Sequence, residues 1–256
     1  MNVLNIFNEE LRRIEAANMY KYETPLESAQ GGTVTVNRKK MVMLASNNYL
    51  GMSNHPKVKR AANEGIKKYG YGLASVRFIC GTQTIHLELE KRISKFLNTE
   101  DTILFSSAFS ANEGFFASLT NEKLGFEEYK DVIYSDRLNH ASIIDGQRLC
   151  RPEFTEKKIF DHLDADQLEK MLEEDKDKSY RFRIIATDGV FSMEGDLAPL
   201  SRLVELAQKY NAILFMDDCH GIGVCGRTGR GTAEHYNVLG KVTITSGTLG
   251  KAIGGA

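Results

Sequence analysis

The segment AILFMDDCHG, residues 212–221, decides the fold. It opens with an apolar run, 212–216, that is too short for an amphipathic helix and is typical of a strand buried on both faces. Similar short runs occur at 102–105, 131–135, 183–187 and 242–245, and 157–160 also looks extended. Strands that are apolar on both faces predict a mostly parallel sheet with helices on either side, although the strand order is not readable.

Helical patterns separate these strands. Segments 108–119 and 140–149 look helical, and Asp164 with Gln167 forms a capping-box signature for a helix ending near Leu172. Apolar residues at helical spacing mark two further helices: Leu89, Ile93, Phe96 and Leu97 in one, and Leu200, Leu203, Val204 and Ala207 in the other. The sequence therefore predicts an α/β fold, with an N-terminal helix and extended arm at 1–55 and a large domain at 56–256.

Composition argues against several classes of protein. The 256 residues carry a net charge of −1, whereas proteins that bind nucleic acids or membrane surfaces usually show a basic excess. No apolar stretch approaches the roughly 18 residues of a membrane helix. The four cysteines form no C-x-x-C pair, which predicts free thiols in a reducing compartment. Because the N-terminus contains Glu9, Glu10 and Glu15 and no signal-peptide core, we expect a cytoplasmic protein.

Polar and ionisable residues follow each of the five predicted strands. Ligands of open parallel sheets bind at the carboxyl ends of the strands, so these residues are expected to converge on one site. One polar strand end is ordinary, but five that include carboxylates, two histidines and a lysine predict chemistry. The residues are Ser106 and Ser107; Asn139 and His140; Asp188 and Ser192; Asp217, Asp218 and His220; and Ser246, Thr248 and Lys251.

These residue types suit pyridoxal 5′-phosphate (PLP). A helix that begins with Ala108 and Phe109 offers free backbone N–H groups to a phosphate, and Thr248 could add a hydroxyl. An aspartate such as Asp217 can keep a pyridine nitrogen protonated, which makes the ring an electron sink. A lysine with a lowered pKa can bind the cofactor covalently, and an imidazole can stack on its ring. No spacing of ligands for zinc is present, and we expect no metal.

Each of these residues also has a simpler structural interpretation. A lone lysine is usually a surface residue, but Lys251 is flanked by Gly250, Gly254 and Gly255, which indicates a crowded backbone. Asp217 could cap a loop, although an unpaired carboxylate at the end of a buried strand is costly. His140 and His220 could equally be core histidines with satisfied hydrogen bonds, and strand-end serines such as Ser192 are common.

A glycine motif suggests a different cofactor. Residues 221–226 read GIGVCG, which matches the G-x-G-x-x-G fingerprint of dinucleotide-binding folds and follows a predicted strand. The next residues, RTGRG, are not helical, and no acidic residue stands at the position expected for the ribose. The sequence therefore argues against a dinucleotide-binding domain.

Four motifs together resemble the α-oxoamine synthases, which are fold-type I PLP enzymes that condense an amino acid with an acyl-CoA. The motifs are NNYLG at 47–51, DGVFSMEG at 188–195, DDCH at 217–220 and TLGK at 248–251. Within this family, ASVRFICGTQ at 74–83 and 138–146 look like the glycine C-acetyltransferases, also called 2-amino-3-ketobutyrate CoA ligases. Segment 194–200, EGDLAPL, is more similar to the 8-amino-7-oxononanoate synthases.

The resemblance implies catalytic roles for three residues. Lys251 would bind the cofactor covalently and shuttle a proton, Asp217 would pair with the pyridinium nitrogen, and His140 would stack on the ring. Asn47 and His140 would contact the amino-acid substrate. The implied reaction interconverts glycine and acetyl-CoA with 2-amino-3-oxobutanoate and CoA, in threonine and glycine metabolism.

The resemblance also implies how the cofactor is held. The backbone at Ala108 and Phe109, together with Thr248, would bind the phosphate. Ser192 and His220 would bind the phenolic oxygen of the ring. The family implies a homodimer with sites at its interface, and no nucleic-acid or membrane partner is expected.

The family's chains continue past the lysine into a small C-terminal domain that supplies an arginine for the substrate carboxylate. We therefore expect this chain, which stops five residues after Lys251, to be a fragment. Two alternatives to glycine C-acetyltransferase stay open: an 8-amino-7-oxononanoate synthase of biotin synthesis, and a non-catalytic fragment that binds PLP.

Overall fold

A computed structural model describes residues 2–121, 123 and 125–255 of the chain. The chain divides into two compact units, Met1–Ser46 and Asn47–Ala256. The division after residue 55, which we drew from the sequence, stays a prediction. None of the helices in the described ranges has the length and apolar character needed to cross a membrane.

The first unit contains one helix and one hairpin. Helix α1 spans Val3–Ala16 and begins after Asn2, whose side chain accepts a hydrogen bond from the backbone N–H of Leu4. Strands β1 (Thr33–Val36) and β2 (Lys39–Val42) pair antiparallel. The two residues between them, Asn37 and Arg38, have φ angles of 49° and 61°, as a two-residue hairpin turn requires. This hairpin was not predicted from the sequence.

The second unit is built around a parallel sheet in the order β4-β3-β5-β6-β7. Its strands are β3 (Lys130–Asp136), β4 (Thr155–Phe160), β5 (Tyr180–Asp188), β6 (Ile213–Asp217) and β7 (Ile244–Ser246). All four strand pairings are parallel, so the carboxyl ends lie at one edge. The predicted α/β class with a parallel sheet is confirmed.

Helices α4 and α5 contribute side chains to the buried cluster on one face of the sheet, and α6, α7 and α8 contribute to the cluster on the other face. The helices of this unit are α2 (Pro56–Tyr69), α3 (Thr84–Leu97), α4 (Ala108–Asn121), α5 (Ala141–Arg148), α6 (Ala165–Glu174), α7 (Leu200–Lys209) and α8 (Thr232–His235). Alternate strand residues divide into two buried clusters. Leu214 packs with residues of α6 and α7, whereas its neighbour Phe215 packs with Phe116 of α4 and Ile143 of α5. The apolar runs of the sequence therefore arise because both strand faces are buried.

Two details differ from the sequence-based expectation. Segment 102–105 is not a strand: its Ile103 is 72% exposed, and the backbone N–H of Leu104 donates to the Glu90 carboxylate (3.3 Å) instead of to a neighbouring strand. The prediction was wrong because an apolar run reveals β-propensity but not whether a strand lies beside it. The capping box of α6 is half formed, because Asp164 accepts from the N–H of Gln167 while the Gln167 side chain accepts from Asp161.

Candidate active site

A cavity of about 190 Å³ lies at the carboxyl edge of the sheet. Every residue that the sequence predicted to bind the cofactor lines it. Six other residues expected at the site lie outside this lining: Asn47, Ser106, Ser107, Asn139, Asp218 and Ser246. The cavity is lined by Ala108, Phe109, His140, Ser142, Asp188, Val190, Ser192, Asp217, Cys219, His220, Thr248 and Lys251. The strand ends thus converge as the parallel topology requires.

The N-terminus of helix α4 forms one wall of the cavity. Ala108 and Phe109 are its first two residues, and N–H groups in a first helical turn have no partner within the helix. The hydroxyl of Ser107 accepts from the N–H of Ser110 (3.0 Å), which caps the third residue and leaves the first two for an anion. The Thr248 hydroxyl stands at the same cavity and accepts from the N–H of Gly250 (3.0 Å).

Lys251 begins a chain of hydrogen bonds on the opposite wall. Its Nζ lies 2.7 Å from Nε2 of His220, whose Nδ1 lies 2.6 Å from the hydroxyl of Tyr49. Burial, together with the nearby Lys251 ammonium, lowers the pKa of His220, so its ring is neutral at neutral pH. When Nε2 of this neutral ring accepts a hydrogen bond from the Lys251 ammonium, Nδ1 carries the ring proton and donates it to the Tyr49 hydroxyl. The Tyr49 hydroxyl in turn donates to Oδ1 of Asn47 (3.3 Å), which connects Asn47 to the lysine.

Asp217 ends β6 and is only 4% exposed. Its two oxygens accept from neutral donors: Oδ2 from the amide of Asn112 (2.6 Å) and Oδ1 from the N–H of Cys219 (3.0 Å). Among the described residues, Asp217 forms no ion pair. A buried carboxylate that faces a cavity and lacks a cation suits a protonated ring nitrogen, so this site fits PLP.

His140 precedes helix α5 as its N-cap residue. Its Nδ1 accepts from the backbone N–H of Ser142 (3.2 Å) and lies 2.8 Å from the Ser142 hydroxyl. Its own backbone N–H donates to Asp188 (2.7 Å), and its ring meets that of Phe109 edge-on with centroids 6.3 Å apart. These contacts hold the imidazole between two elements of the cavity wall.

Two further buried carboxylates, Asp188 and Asp218, lie close to Asp217. Asp188 is aligned with Asp217 across strands β5 and β6, and burial together with the Asp217 charge raises the pKa of Asp188 to about 8. Burial raises the pKa of Asp218 to about 7, and Asp218 turns away from the cavity to accept from the hydroxyl (2.5 Å) and N–H (2.8 Å) of Thr232. Of the three carboxylates, Asp217 is therefore the one placed for a cationic ligand.

Sequence reasoning missed several residues of this site. Asn112 and Ser142 bind Asp217 and His140, and Tyr49 binds His220, but none had been singled out for that role. Asn112 is fully buried in α4. The available signal was a polar residue on the buried side of an apolar helix, which by itself is ambiguous.

The chain belongs to the aminotransferase class I and II family, whose profile matches residues 39–256. It is 46% identical over 251 residues to the 8-amino-7-oxononanoate synthase of Thermoanaerobacter pseudethanolicus. It is also 46% identical over 253 residues to the human mitochondrial 2-amino-3-ketobutyrate coenzyme A ligase. Both alignments cover 98% of this chain but only 61% and 58% of the relatives, so the chain spans about 60% of their length. The resemblance to α-oxoamine synthases is confirmed at this level.

Solved structures support the same grouping. A serine palmitoyltransferase from S. paucimobilis with bound PLP and myriocin matches with a TM-score of 0.86 and 27% identity, covering 99% of this chain and 62% of that one. The Sphingomonas wittichii serine palmitoyltransferase matches with a TM-score of 0.86 and 30% identity, again over 99% and 62%. The family and the PLP-bound neighbour indicate PLP as the cofactor, as predicted.

Proposed function

We propose that this chain is the cofactor-binding part of a PLP-dependent α-oxoamine synthase, which joins the α-carbon of an amino acid to the acyl group of a CoA thioester. The observation that carries the proposal is that Lys251, Asp217 and His140 line one cavity beside the N-terminus of α4. Such a set combines an amine, a buried anion, an aromatic ring and a phosphate-binding helix end.

When bound, PLP supplies a ring that withdraws electrons and stabilises negative charge at the α-carbon of the amino acid. Asp217 would hold a proton at the ring nitrogen, because its buried carboxylate forms no ion pair within the described part of the chain and its hydrogen bonds come from neutral groups. The N–H groups of Ala108 and Phe109, with the Thr248 hydroxyl, bind the phosphate. Ser192 and His220 would hold the phenolic oxygen, and His140 would lie against the ring and the amino acid, as the resemblance implies.

Lys251 moves the proton of the α-carbon. Its Nζ is hydrogen-bonded to Nε2 of a neutral His220, which orients the lysine side chain in the cavity. Tyr49 and Asn47 extend this hydrogen-bond chain, and a contact of Asn47 with the amino-acid substrate, which the resemblance implies, stays a prediction.

For the substrates, we favour glycine and acetyl-CoA, and hence a role in threonine catabolism. Segment 74–83 supports this choice, and so does the human 2-amino-3-ketobutyrate coenzyme A ligase among the relatives. The 8-amino-7-oxononanoate synthase alternative is supported by segment 194–200 and by relatives of equal identity. The cytoplasmic location stays a prediction that rests on the unpaired cysteines and on the acidic N-terminus without a signal-peptide core.

We also propose that the protein works as a homodimer. Four large apolar side chains between residues 71 and 103 are 71–100% exposed, which is unusual for a monomer surface: Tyr71, Phe78, Ile79 and Ile103. A second copy that covers them would bury this surface. Light scattering of the full-length protein and of its Phe78→Asp variant tests this, since the variant should dissociate.

Covalent trapping tests the proposed function. Full-length protein incubated with PLP is reduced with borohydride, digested and mapped by mass spectrometry. We expect the pyridoxyl label on Lys251 and none in Lys251→Ala, whereas Lys241→Ala, which removes an exposed lysine ten residues earlier, keeps it. A label on another lysine would overturn the assignment. The intact mass of the native protein tests whether it is a non-catalytic fragment.

A further inference from the structure

Two buried side chains connect Asp217 to His140. The amide nitrogen Nδ2 of Asn112 donates to Asp217 Oδ2 (2.6 Å) and to the Ser142 hydroxyl (2.8 Å). The Ser142 hydroxyl lies 2.8 Å from His140 Nδ1. Asn112 is 0% exposed and Ser142 is 1% exposed, so water does not compete for these contacts. The result is one unbroken chain from the carboxylate to the imidazole.

The sheet alone does not hold Asp217 and His140 together. Asp217 ends β6, while His140 follows β3, and β5 lies between these two strands. The connection passes instead through helices α4 and α5. These helices approach closely at Gly146, where an added Cβ would lie 3.0 Å from the backbone oxygen of Asn112. The close approach places Asn112 within reach of Ser142.

Asp217 determines which group donates in each hydrogen bond of this chain. Only a carboxylate oxygen faces the Asn112 amide there, so Asn112 must present Nδ2, and its Oδ1 has no hydrogen-bond partner among the described residues. Ser142 Oγ then accepts from Asn112 and donates its own proton to His140 Nδ1. Because Nδ1 also accepts from the Ser142 backbone N–H, the neutral imidazole carries its proton on Nε2.

We propose that Asn112 and Ser142 are positioning residues, which hold Asp217 and His140 in one fixed arrangement and keep His140 in the Nε2–H tautomer. Neither touches the reacting atoms; they act through the residues that would hold the cofactor ring. This inference deepens the proposed function and rests on it for its consequence, but the hydrogen-bond chain is a property of the protein itself.

The tautomer is tested without any cofactor. Protein labelled with ¹⁵N-histidine is studied by long-range ¹H–¹⁵N correlation, which distinguishes protonated from unprotonated ring nitrogens, and His140→Gln assigns the signal. We expect His140 to be unprotonated on Nδ1 and protonated on Nε2. Protonation on Nδ1 would mean that the donors run the other way, and the proposal would be wrong whether or not PLP binds.

Positioning is tested by PLP affinity in two variants that keep the shape of Asn112. Both Asn112→Leu and Asn112→Asp remove the donor to Asp217, and the latter also adds like charge beside it. Loss of a hydrogen bond to a charged group should weaken PLP binding about tenfold to hundredfold, with the larger effect in Asn112→Asp. The signal of His140 should broaden or shift in the same variants.

The matched control is Asn121→Leu in the same helix. Asn121 bridges α4 to the end of α5 through Leu149 and Arg151, so its loss perturbs the same helix pair away from the cavity. We expect it to lower the melting temperature but not PLP affinity. Wild-type affinity in both Asn112 variants would overturn the proposal. Failure of borohydride to label Lys251 in the wild type would instead refute the proposed function while the tautomer result stood.

Discussion

Replacing Asp217 by asparagine removes the charge of the buried carboxylate while keeping its shape. In the folded protein Asp217 is 4% exposed, and its hydrogen bonds come from neutral groups, the Asn112 amide and the Cys219 N–H. No cation among the described residues forms an ion pair with Asp217, so the carboxylate can pair with a cationic ring nitrogen. At an effective dielectric constant of about 20, two charges about 4 Å apart interact by about 4 kcal/mol, and removing one partner of a buried pair costs about 3–5 kcal/mol.

That free energy corresponds to a fall in kcat of about 200- to 5,000-fold. Asp217→Asn should also weaken PLP affinity, but the PLP content measured with the cofactor in excess should change much less than kcat, because the proposed phosphate contacts at Ala108 and Phe109 and the covalent link at Lys251 remain. The assay measures CoA release under saturating substrates, together with PLP per subunit from absorbance after alkaline release. Both are measured on full-length protein.

Asp218→Asn is the matched control, because Asp218 is also buried but turns towards Thr232 instead of the cavity. We expect it to keep kcat per folded molecule. The reasoning is refuted if Asp217→Asn retains near-normal turnover, since Asp217 would then serve only as a loop cap. It is also refuted if the whole loss of activity follows from lost cofactor.

Three further predictions concern stability and specificity. Burial raises the pKa of Asp218 from 3.8 to about 7, so the folded state favours the protonated carboxyl, and its contribution to stability falls by about 4 kcal/mol as the pH rises from about 4 to about 7. Asp218→Asn should therefore flatten the pH dependence of the free energy of unfolding in urea over this range, and an unchanged slope would argue against the shift. Gly231→Ala should destabilise the protein more than Gly229→Ala. Both glycines have a positive φ, 91° and 76°, which alone costs about 1–3 kcal/mol for alanine, but only at Gly231 would the added Cβ collide with Asp218, since the nearest atom at Gly229 is 3.4 Å away. Equal melting temperatures of the two variants would contradict the collision. Glycine with acetyl-CoA should be preferred to alanine with pimeloyl-CoA in CoA release by full-length protein, with about 10- to 200-fold discrimination from one methyl group, and the opposite preference would favour the biotin pathway.

The fold was predictable wherever burial controls the sequence pattern. Strands β3, β5 and β6 are buried on both faces, so they appear as apolar runs, and the Leu200, Leu203 and Val204 stripe faces the core as expected. Segment 102–105 has the same apolar pattern but pairs with no strand, and β7 begins at Ile244 instead of Val242. Those outcomes depend on which backbone lies alongside, and local pattern does not contain that information.

The site was predictable for residues at strand ends and helix starts, because parallel topology brings those positions together. His140, Asp217 and Lys251 follow from that rule. Asn112 lies inside α4, and Ser142 is the second residue of α5, but the roles of both come from the approach of α4 to α5 at Gly146, which the sequence does not reveal. The order β4-β3-β5-β6-β7 and that approach are needed before the bridge to Asp217 becomes visible.

The glycine motif at 221–226 illustrates why spacing alone misleads. Gly221 stands where a Cβ would collide with the carboxyl of Asp218, and the same is true of Gly189 and Gly231, so three glycines from two loops pack against one buried acid. Gly226 does not lead directly into a helix. The next helix, α8, begins only at Thr232, whose N–H and hydroxyl donate to the Asp218 carboxylate. In a dinucleotide-binding fold the glycines admit a pyrophosphate to a helix end. Here Gly221 admits a side chain of the same protein, which fixes the loop that follows Asp217 and His220. The glycine motif therefore has a structural role, because it leaves room for the buried Asp218 side chain beside the cavity. This explains why Asp218, although adjacent to Asp217 in sequence, serves the structure and does not face the cavity.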